Sequence, residues 1–364
     1  MLVRSLRAEK FRNLQRVSLS FSARVNVLLG PNGQGKTNLL EALYLIAGFR
    51  SFRGAKTREL IAQNGEAARL VAEVEADGVE RAVELTLRPK GKAYLVDGKA
   101  PGSLAEWVGR LVMVTFSPDD LFLVKGEPDI RRRWLDRVIF LLDPEHLRFV
   151  MQYTKALKTR NALLKDGMFG RDMLLLDAFD ATLAKCGAKV RAARARWIAE
   201  LSLLVDRELS ALTGGVHHAK LADDSEVGAA DEAAYLATLV QRREDDVKRR
   251  LTSWGVHHDD LEVTISERVA RRFASQGEQR ALTLAMKLAE TELVRERRKV
   301  APVLLLDDVT GELDAVRNQF LFRELERHEG QVFVACTELP ARLAEAGFSG
   351  TIFDVDAGEI RERK

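Results

Sequence analysis

Residues 30–37, with the sequence GPNGQGKT, fit the pattern GxxxxGK[ST] at every fixed position. The glycines of this pattern allow backbone N–H groups to surround a phosphate chain, and the following helix adds its positive dipole end. The lysine reaches the β- and γ-phosphates, and the threonine hydroxyl binds Mg²⁺. An ordinary glycine-rich helix cap would not need Lys–Thr at this position. The residues predicted to bind a nucleotide here are Gly30, Pro31, Asn32, Gly33, Gln34, Gly35, Lys36, Thr37 and Asn38.

Two adjacent carboxylates follow a second apolar segment, VLLL at 303–306. We predict that Asp307 holds Mg²⁺ together with Thr37, and that Asp308 orients the attacking water or accepts its proton. Asp308 and Lys36 are thus the predicted catalytic residues. A lone aspartate after a strand often forms only an Asx turn. Two of them, in a chain that already carries a phosphate loop, predict a nucleoside triphosphate and Mg²⁺ as ligands.

Residues 275–280 (SQGEQR) begin a helical pattern and allow two interpretations. Ser275 and Gly277 at a helix start form an anion-binding end. In the ABC-type ATPases, which include the SMC and Rad50 proteins, a similar signature contacts the γ-phosphate held by the opposite subunit. Alternatively, Ser275 and Glu278 form an ordinary capping box, which these residues alone would favour. The two nucleotide motifs favour the signature, and we assign Ser275, Gly277 and Glu278 to the nucleotide site.

Two further segments resemble this class of ATPases by their place in the chain. Arg12 and Asn13 lie between the first two predicted strands, where the class contacts the base and phosphates of the nucleotide. Residues 311–314 (GELD) follow Asp308 where the class has its D-loop, a segment of the dimer interface. The resemblance implies that two subunits enclose two nucleotides between them.

The elements that must position these residues are those of an α/β protein. Alternating or buried apolar runs predict strands at both ends of the chain, whereas residues 129–250 show almost only helical patterning. We predict an α/β fold, an ABC-type P-loop ATPase head with an inserted helical arm domain. The predicted head comprises residues 1–115 plus 255–364, and the arm comprises residues 116–254.

Over nearly its full length the chain is similar to the RecF family of bacterial recombination mediators. The similarity lies, in the expected order, in FRNL at 11–14, NVLLGPNGQGKTNLLEAL at 26–43, FSPDDLFLVKGEPDIRRRWLD at 116–136, KTRNALLK at 158–165, SQGEQRAL at 275–282 and VLLLDDVTGELD at 303–314. Transporters and SMC proteins have nothing similar at 116–136. The resemblance implies an ATP-induced homodimer that grips duplex, gapped or single-stranded DNA and hydrolyses ATP slowly. It also implies RecR and RecO as partners in loading RecA.

The chain departs from the family pattern at several positions. The family segment TGPHRDD reads SWGVHHDD at 253–260, which puts a loop contact there in doubt. A metal site at these histidines and aspartates is an alternative, but a polar loop before the next strand is favoured. No histidine follows the strand predicted at 331–334, where the chain has Cys336 and Thr337. Asp308 replaces the glutamate of most ABC-type ATPases, which suits slow turnover.

The net charge of the chain is too small to predict DNA binding, so only local clusters of basic residues could indicate it. The chain has 57 Lys and Arg against 54 Asp and Glu, a net charge of +3. Four basic clusters could neutralise DNA phosphates without reading sequence, although for each alone a solvated helix face is favoured. They are Arg131–Arg133 with Arg137, then Arg191, Arg194 and Arg196, then Lys248–Arg250, and Arg271 with Arg272. For Arg131–Arg133, packing of the helical domain on the head is a further alternative.

Cysteine usage and hydropathy indicate a cytoplasmic protein. Cys186 and Cys336 form no metal-binding spacing, and no apolar stretch approaches the ~20 residues that span a bilayer.

Two other functions remain as alternatives. A transporter's nucleotide-binding subunit should carry an LSGGQ-like signature and a Gln loop, and neither is clear. A structural SMC-like ATPase needs a long coiled coil, for which the helical region is too short.

Overall fold

The computed structural model describes residues 1–48, 50–76, 78–101, 107, 109–166, 172–225, 231–339 and 350–363. The chain forms two compact units. The first comprises Met1–Asp120 with Val294–Lys364, and the second comprises Leu121–Leu293. Residues 255–293, which were expected in the head, therefore have their contacts within the second unit.

Fourteen strands lie in the described ranges. In chain order they are β1 (Leu2–Phe11), β2 (Leu14–Ser20), β3 (Val25–Leu29), β4 (Ala68–Ala76), β5 (Val79–Arg88), β6 (Gly91–Val96), β7 (Met113–Phe116), β8 (Ala219–Asp223), β9 (Leu261–Ile265), β10 (Arg268–Val269), β11 (Val303–Asp307), β12 (Val332–Cys336), β13 (Gly350–Asp356) and β14 (Glu359–Glu362).

The helices of the described residues fall mostly between β7 and β11. In chain order they are α1 (Lys36–Ile46), α2 (Thr57–Leu60), α3 (Phe122–Lys125), α4 (Pro128–Leu142), α5 (Pro144–Asp166), α6 (Asp172–Thr213), α7 (Glu232–Gln241), α8 (Arg243–Arg249), α9 (Ala270–Phe273), α10 (Gln276–Arg298), α11 (Val309–Glu312) and α12 (Ala315–Arg327).

The first unit contains two sheets and the helix that follows the phosphate loop. A six-stranded sheet has the order β14-β13-β3-β12-β11-β7, and a five-stranded antiparallel sheet has the order β2-β1-β4-β5-β6. Helix α1 contacts strands of both sheets. Its sequence, KTNLLEALYLI, is apolar on most sides, and nine of its eleven residues are buried. Such a helix is stable only inside a core, which fixes the end of the phosphate loop firmly.

The second unit is mainly helical and also contains a small sheet, of which the sequence pattern predicted only the strand at 261–266. Strand β8 pairs antiparallel with β9, and β9 pairs with β10. The five residues of β8 are separated by three residues from the turn at Gly214–Gly215, within a region of helical patterning. Too few residues alternate there to indicate a strand. Because β8 pairs with β9, residues 261–265 belong by contact with the helical region.

Candidate functional site

Two strands of the six-stranded sheet place the predicted nucleotide-binding residues at the same end of the sheet. Strands β3, β12 and β11 are adjacent and parallel, so Leu28, Ala335 and Asp307 lie side by side. The phosphate loop leaves the carboxyl end of β3, and Asp307 ends β11. In α/β proteins, ligands bind just outside the carboxyl ends of the parallel strands, which is where these residues lie.

The phosphate loop needs glycine at positions where a side chain would not fit. A Cβ at Gly30 would lie 2.2 Å from the carbonyl oxygen of Val355 on β13. Gly35 has φ +124°, a conformation that L side chains rarely adopt, and a Cβ there would lie 3.0 Å from the Asn13 amide. The backbone can therefore curl closely into the first turn of α1, with its N–H groups at the helix end.

Lys36, Thr37 and Asp307 are brought together at the start of α1. Lys36 is a largely buried residue, and its ammonium donates to the carbonyl oxygens of Gly30, at 2.6 Å, and Pro31, at 3.0 Å. The Thr37 hydroxyl donates to Asp307 Oδ1 at 2.6 Å. These two oxygens are hard donors of the kind that Mg²⁺ prefers, and their closeness fits a shared ion.

Burial raises the pKa of the Asp307 carboxyl, and the neighbouring Asp308 raises it further, although Thr37 donates to it. A cation between these groups would relieve that cost, because it favours the charged carboxylates. Asp308 itself has φ +51° in the left-handed region, at the start of α11. Backbone strain of this kind is concentrated at functional sites.

The turn between β1 and β2 supports the phosphate loop from the side. The Asn13 amide donates to the carbonyl oxygen of Gln34 at 2.9 Å and accepts from the Asn38 amide at 2.8 Å. Arg12 adopts φ +53° and donates twice to Glu41, at 2.9 and 3.1 Å. The two residues predicted from this turn therefore lie at the phosphate loop.

A cavity of about 630 Å³ joins these groups. Ten of the predicted residues line it: Arg12, Asn13, Asn32, Gly33, Gly35, Lys36, Thr37, Asn38, Asp307 and Asp308. Gly30, Pro31 and Gln34 belong to the same loop without lining the cavity. Four further lining residues were not predicted, namely Arg53, Glu59, Ile61 and Gln63. They lie on the segment around α2, which carries no motif that could have indicated them.

The predicted signature lies in the second unit, at the start of α10. Here the capping box is present, because Ser275 N donates to Glu278 Oε2 at 2.7 Å and Glu278 N donates to Ser275 Oγ at 3.3 Å. The hydrogen bond from the Ser275 backbone N–H, followed by that of its side chain, holds the pKa of the Glu278 carboxyl below its ordinary range. Gly277 lies in the first turn. Ser275 is exposed, so a capped helix end and an anion site for another molecule are compatible here.

Comparison with known proteins decides the family. A family model described as the RecF/RecN/SMC N-terminal domain matches residues 2–350. The DNA replication and repair protein RecF of Myxococcus xanthus is 38% identical, over 100% of this chain and 98% of its own length. The RecF of Clostridioides difficile is 32% identical, over 99% and 98%. This chain belongs to the RecF family.

Solved structures agree with this assignment. A structure of the recombination mediator RecF with ATP, of the RecFOR pathway, has a TM-score of 0.89 at 30% identity, with 100% of this chain and 97% of that chain covered. The Smc head of Pyrococcus furiosus has a TM-score of 0.56 at 17% identity, with 99% and 95% covered, which shows a shared fold alone. The α/β ABC-type ATPase head predicted from sequence is confirmed. The family is that of a DNA replication and repair protein, not of a transporter subunit, and none of the described helices could cross a membrane.

Members of the first basic cluster, Arg131–Arg133 with Arg137, form ion pairs inside the second unit, so part of this cluster serves packing. Arg131 is buried and donates to both oxygens of Asp260, at 2.8 and 2.7 Å. Arg137 is paired with the fully buried Glu290 at 2.9 Å. Two members of the predicted cluster are therefore held by carboxylates, and Arg131 is not available to DNA. Arg133 is exposed and pairs with Asp129 one helical turn away.

Two members of the second basic cluster, Arg191 and Arg194, are likewise paired inside the second unit. Arg191 donates to both oxygens of Asp259, at 3.0 and 2.6 Å. Arg194 is likewise buried and pairs with Asp136, donating twice at 2.9 Å. An arginine cluster read along a helix predicts a basic surface only when no carboxylate from another element packs against it, and here such carboxylates are present.

The RecF-like motif KTRNALLK contains a further buried arginine. The Arg160 guanidinium donates to Asp180 at 2.6 Å, to Asp246 at 2.7 Å and to the Thr252 hydroxyl at 2.8 Å. It is fully buried, as is Asp180. This motif therefore joins α5, α6, α8 and the residue just before the 253–260 segment.

The divergent 253–260 segment is part of the packing of the second unit. The Tyr153 hydroxyl lies 2.8 Å from His257 Nδ1 and 3.2 Å from the Tyr235 hydroxyl. Burial lowers the pKa of His257 to about 4. Among the described residues no group of three His, Cys, Asp or Glu side chains could hold a metal ion.

Proposed function

We propose that this chain binds ATP with Mg²⁺ at the cavity of the first unit and acts in DNA replication and repair as an ATP-controlled dimer. The observation that carries the proposal is the placement of Lys36, Thr37 and Asp307 around one end of α1, with the Thr37 hydroxyl 2.6 Å from the Asp307 carboxylate. Membership of the RecF family supports it, as does the likeness to a RecF structure with ATP.

The residues of the site have separate roles in binding and hydrolysing ATP. The loop N–H groups and Lys36 bind the phosphates, with Lys36 exchanging two carbonyl partners for phosphate oxygens. Thr37 and Asp307 hold Mg²⁺, which neutralises phosphate charge when bound. Asp308 orients the attacking water or accepts its proton, so that ATP is hydrolysed slowly. In this scheme hydrolysis limits the lifetime of the dimer.

The proposed partners are a second copy of the chain, DNA, RecR and RecO. They are inferred from the family and from the signature at Ser275. A second copy of the chain presents Ser275, Gly277 and Glu278 to the γ-phosphate, and the closed dimer grips DNA by its phosphates, as duplex, gapped or single strands. RecR and RecO act with it, by similarity to RecF proteins of the RecFOR pathway. The residues on DNA lie outside the buried pairs of Arg131, Arg191 and Arg194.

The test is Lys36→Met in the full chain, with Lys90→Met, an exposed lysine in the same unit, as the matched control. Losing the ammonium removes a charged partner of the phosphates, so affinity for MgATP should fall about tenfold or more. Dimerisation with ATP and ATP-dependent DNA binding should fall with it. We would measure ATP binding calorimetrically and mass by light scattering. If Lys36→Met binds ATP and dimerises as the parent does, the site assignment is wrong.

A further inference from the structure

The turn of the C-terminal hairpin contacts the phosphate loop although it belongs to no nucleotide motif. Strand β13 pairs parallel with β3, which leads into the loop, and β14 folds back antiparallel on β13. The two residues that join β13 to β14, Ala357 and Gly358, form the hairpin turn. Neither of them lines the nucleotide cavity, so an effect of this turn on the nucleotide must pass through the loop.

Gln34 of the phosphate loop receives three hydrogen bonds from outside the loop, two of them from the hairpin turn. The Ala357 N–H donates to Gln34 Oε1 at 2.7 Å, and the Gly358 N–H donates to the Gln34 carbonyl oxygen at 2.8 Å. The Asn13 amide donates to the same carbonyl at 2.9 Å, so both lone pairs of that oxygen are used. These contacts support the loop from the side away from the cavity, which Gln34 does not line.

The bonds to the Gln34 carbonyl also orient the N–H group that follows it. In a planar trans peptide the C=O and N–H bonds point in opposite directions. Because the hairpin turn and Asn13 hold the Gln34 carbonyl, the N–H of Gly35 points away from both of them. Gly35 is buried and lines the cavity, and its N–H is one of the loop groups that are proposed to bind phosphate.

The hairpin turn can come this close to the loop only because Gly358 has no side chain. A Cβ at Gly358 would lie 2.3 Å from the carbonyl oxygen of Asn13, a distance that requires the backbone to shift. Gly358 is buried and adopts φ +85°. A methyl group at this position would therefore push the hairpin turn away from Asn13 and Gln34.

Ala357 is held in a conformation that its side chain disfavours. Its φ of +47° lies in the left-handed region, where a two-residue hairpin turn usually has Asn, Asp or Gly. The turn at Asp97 and Gly98 has nearly the same φ values, +50° and +75°, and it carries the favoured residues. An alanine keeps such a conformation where the surrounding structure fixes it, and here its N–H is bound to Gln34.

We propose that Gln34 and the hairpin turn are positioning elements of the nucleotide site, which hold the Gly35 N–H toward the phosphate chain and thereby set the affinity for phosphate. The proposal deepens the proposed function and rests on it. The hairpin turn does not touch the nucleotide in this scheme. It acts by preorganisation, because a loop that already has its bound conformation loses less freedom when the ligand binds.

The main experiment compares Gly358→Ala with Gly98→Ala in the full chain. Both variants add a methyl group at the second residue of a two-residue turn with positive φ, but nothing lies within 4 Å of a Cβ at Gly98. Affinities for MgATP and for magnesium tripolyphosphate are measured by calorimetry. We expect Gly358→Ala to weaken both ligands by the same factor, about tenfold, and Gly98→Ala to leave both unchanged.

Two outcomes of this comparison would overturn the proposal. If Gly358→Ala binds both ligands as Gly98→Ala does, the hairpin turn does not position the loop. If Gly358→Ala weakens MgATP but not tripolyphosphate, the hairpin turn acts on the nucleoside and not on the phosphate-binding N–H groups.

A second experiment tests whether the hairpin turn acts through Gln34. Gln34→Met keeps the length of the side chain but removes the acceptor of the Ala357 N–H, so both ligands should bind several-fold more weakly. In the Gly358→Ala background the same change should have little further effect, because the turn has already moved away. Fully additive effects would show that Gln34 acts independently of the hairpin turn and would overturn this part of the proposal.

A spectroscopic measurement separates positioning from a general loss of structure. In ¹⁵N-glycine-labelled protein without nucleotide, the Gly35 amide signal is assigned by its loss in Gly35→Ala. It should shift in Gly358→Ala and in Gln34→Met, and it should keep its parental position in Gly98→Ala. An unchanged Gly35 signal in Gly358→Ala would contradict the orientation of this N–H by the hairpin turn.

The two proposals fail in different ways. If Lys36→Met loses MgATP and Gly358→Ala binds it as the parent does, the positioning proposal is wrong and the proposed function stands. If the parent binds neither MgATP nor tripolyphosphate, both are wrong. Circular dichroism before titration establishes that each variant is folded. If Gly358→Ala does not fold, Gln34→Met decides the question, since parental affinity for tripolyphosphate in that variant overturns the proposal.

Discussion

The nucleotide cavity and the second unit use the same kinds of side chain for opposite purposes. In the cavity, Lys36 and Arg53 have no carboxylate partner among the described residues, and their bonds go to neutral oxygens. In the second unit, Arg160, Arg191 and Arg194 are buried against aspartates brought from distant elements. A cation is available to an external anion only where the fold supplies no internal one. Motif context identified the first region, whereas arginine clustering alone could not show that Arg191 and Arg194 are buried.

The largest expected effect that tests this comparison is on Arg160. Arg160→Met should lower the free energy of unfolding of the second unit by about 3–5 kcal/mol, because it leaves Asp180 and Asp246 buried without their shared cation. Urea unfolding followed by tryptophan fluorescence reports this unit selectively, since three of the four tryptophans, Trp134, Trp197 and Trp254, lie in it.

The matched control is Arg133→Ala, whose exposed pair with Asp129 should change the unfolding free energy by about 0.5 kcal/mol or less. If both variants unfold at the same urea concentration, Arg160 is not the structural cation that its contacts indicate. MgATP affinity should stay at the parental value in folded Arg160→Met, since no cavity residue is changed.

The second prediction compares two buried carboxylates, those of Glu290 and Asp307, whose pKa values are shifted in opposite directions. Burial would raise the pKa of Glu290, but Arg137, Lys287 and the Trp134 N–H hold it below its ordinary range. Its contribution to stability is therefore present above about pH 4.3 and is lost as pH falls. Asp307 has a raised pKa, so its contribution is present below about pH 3.9 and is lost as pH rises through the folded pKa.

We therefore expect opposite pH dependences for two isosteric variants, measured by urea unfolding between pH 3.5 and 7 without divalent ions. Glu290→Gln should destabilise at pH 7 by about 3 kcal/mol, and the loss should shrink as pH falls. Asp307→Asn should stabilise relative to the parent, and the gain should grow as pH rises. A constant difference across this range for either variant would contradict the corresponding pKa direction.

How much could be predicted from sequence depended on whether the determining contacts are local. The phosphate loop, β3 and α1 follow from adjacent residues, because glycine spacing and apolar runs act over one or two turns. Asp307 was also predictable, since a buried strand carries it to the sheet edge. Strand β8 was missed because its pairing with β9, some forty residues away, outweighs the weak local pattern.

The ion pairs and Arg53 could not have been predicted for the same reason. Arg131 and Asp260 are 129 residues apart, and nothing in either segment indicates the other. Arg53 lines the cavity close to Ser51, whose hydroxyl donates to a glutamate buried on α1, and burial of that glutamate is a property of the packed core. Charge patterns along the chain therefore identified where cations lie, but not whether the fold neutralises them.

The smallest expected effect on stability, and the sharpest test of the signature, concerns Ser275. Ser275→Ala removes the cap on α10 and should cost about 1 kcal/mol. Ser275→Asp keeps a good capping residue and should unfold close to the parent, yet it places a negative charge where a partner's γ-phosphate should lie. If Ser275 acts across subunits, both variants lose ATP-dependent dimerisation, measured by light scattering, although only one loses stability.

Capping alone predicts a different pattern for the same two variants. Ser275→Asp would then dimerise with ATP as the parent does, and Ser275→Ala would fail only in proportion to its lost stability. ATP binding to the monomer serves as the control, because Lys36 and Thr37 are unchanged in both variants. Parental dimerisation of Ser275→Asp would leave the observed hydrogen bonds between Ser275 and Glu278 as the whole role of this helix end.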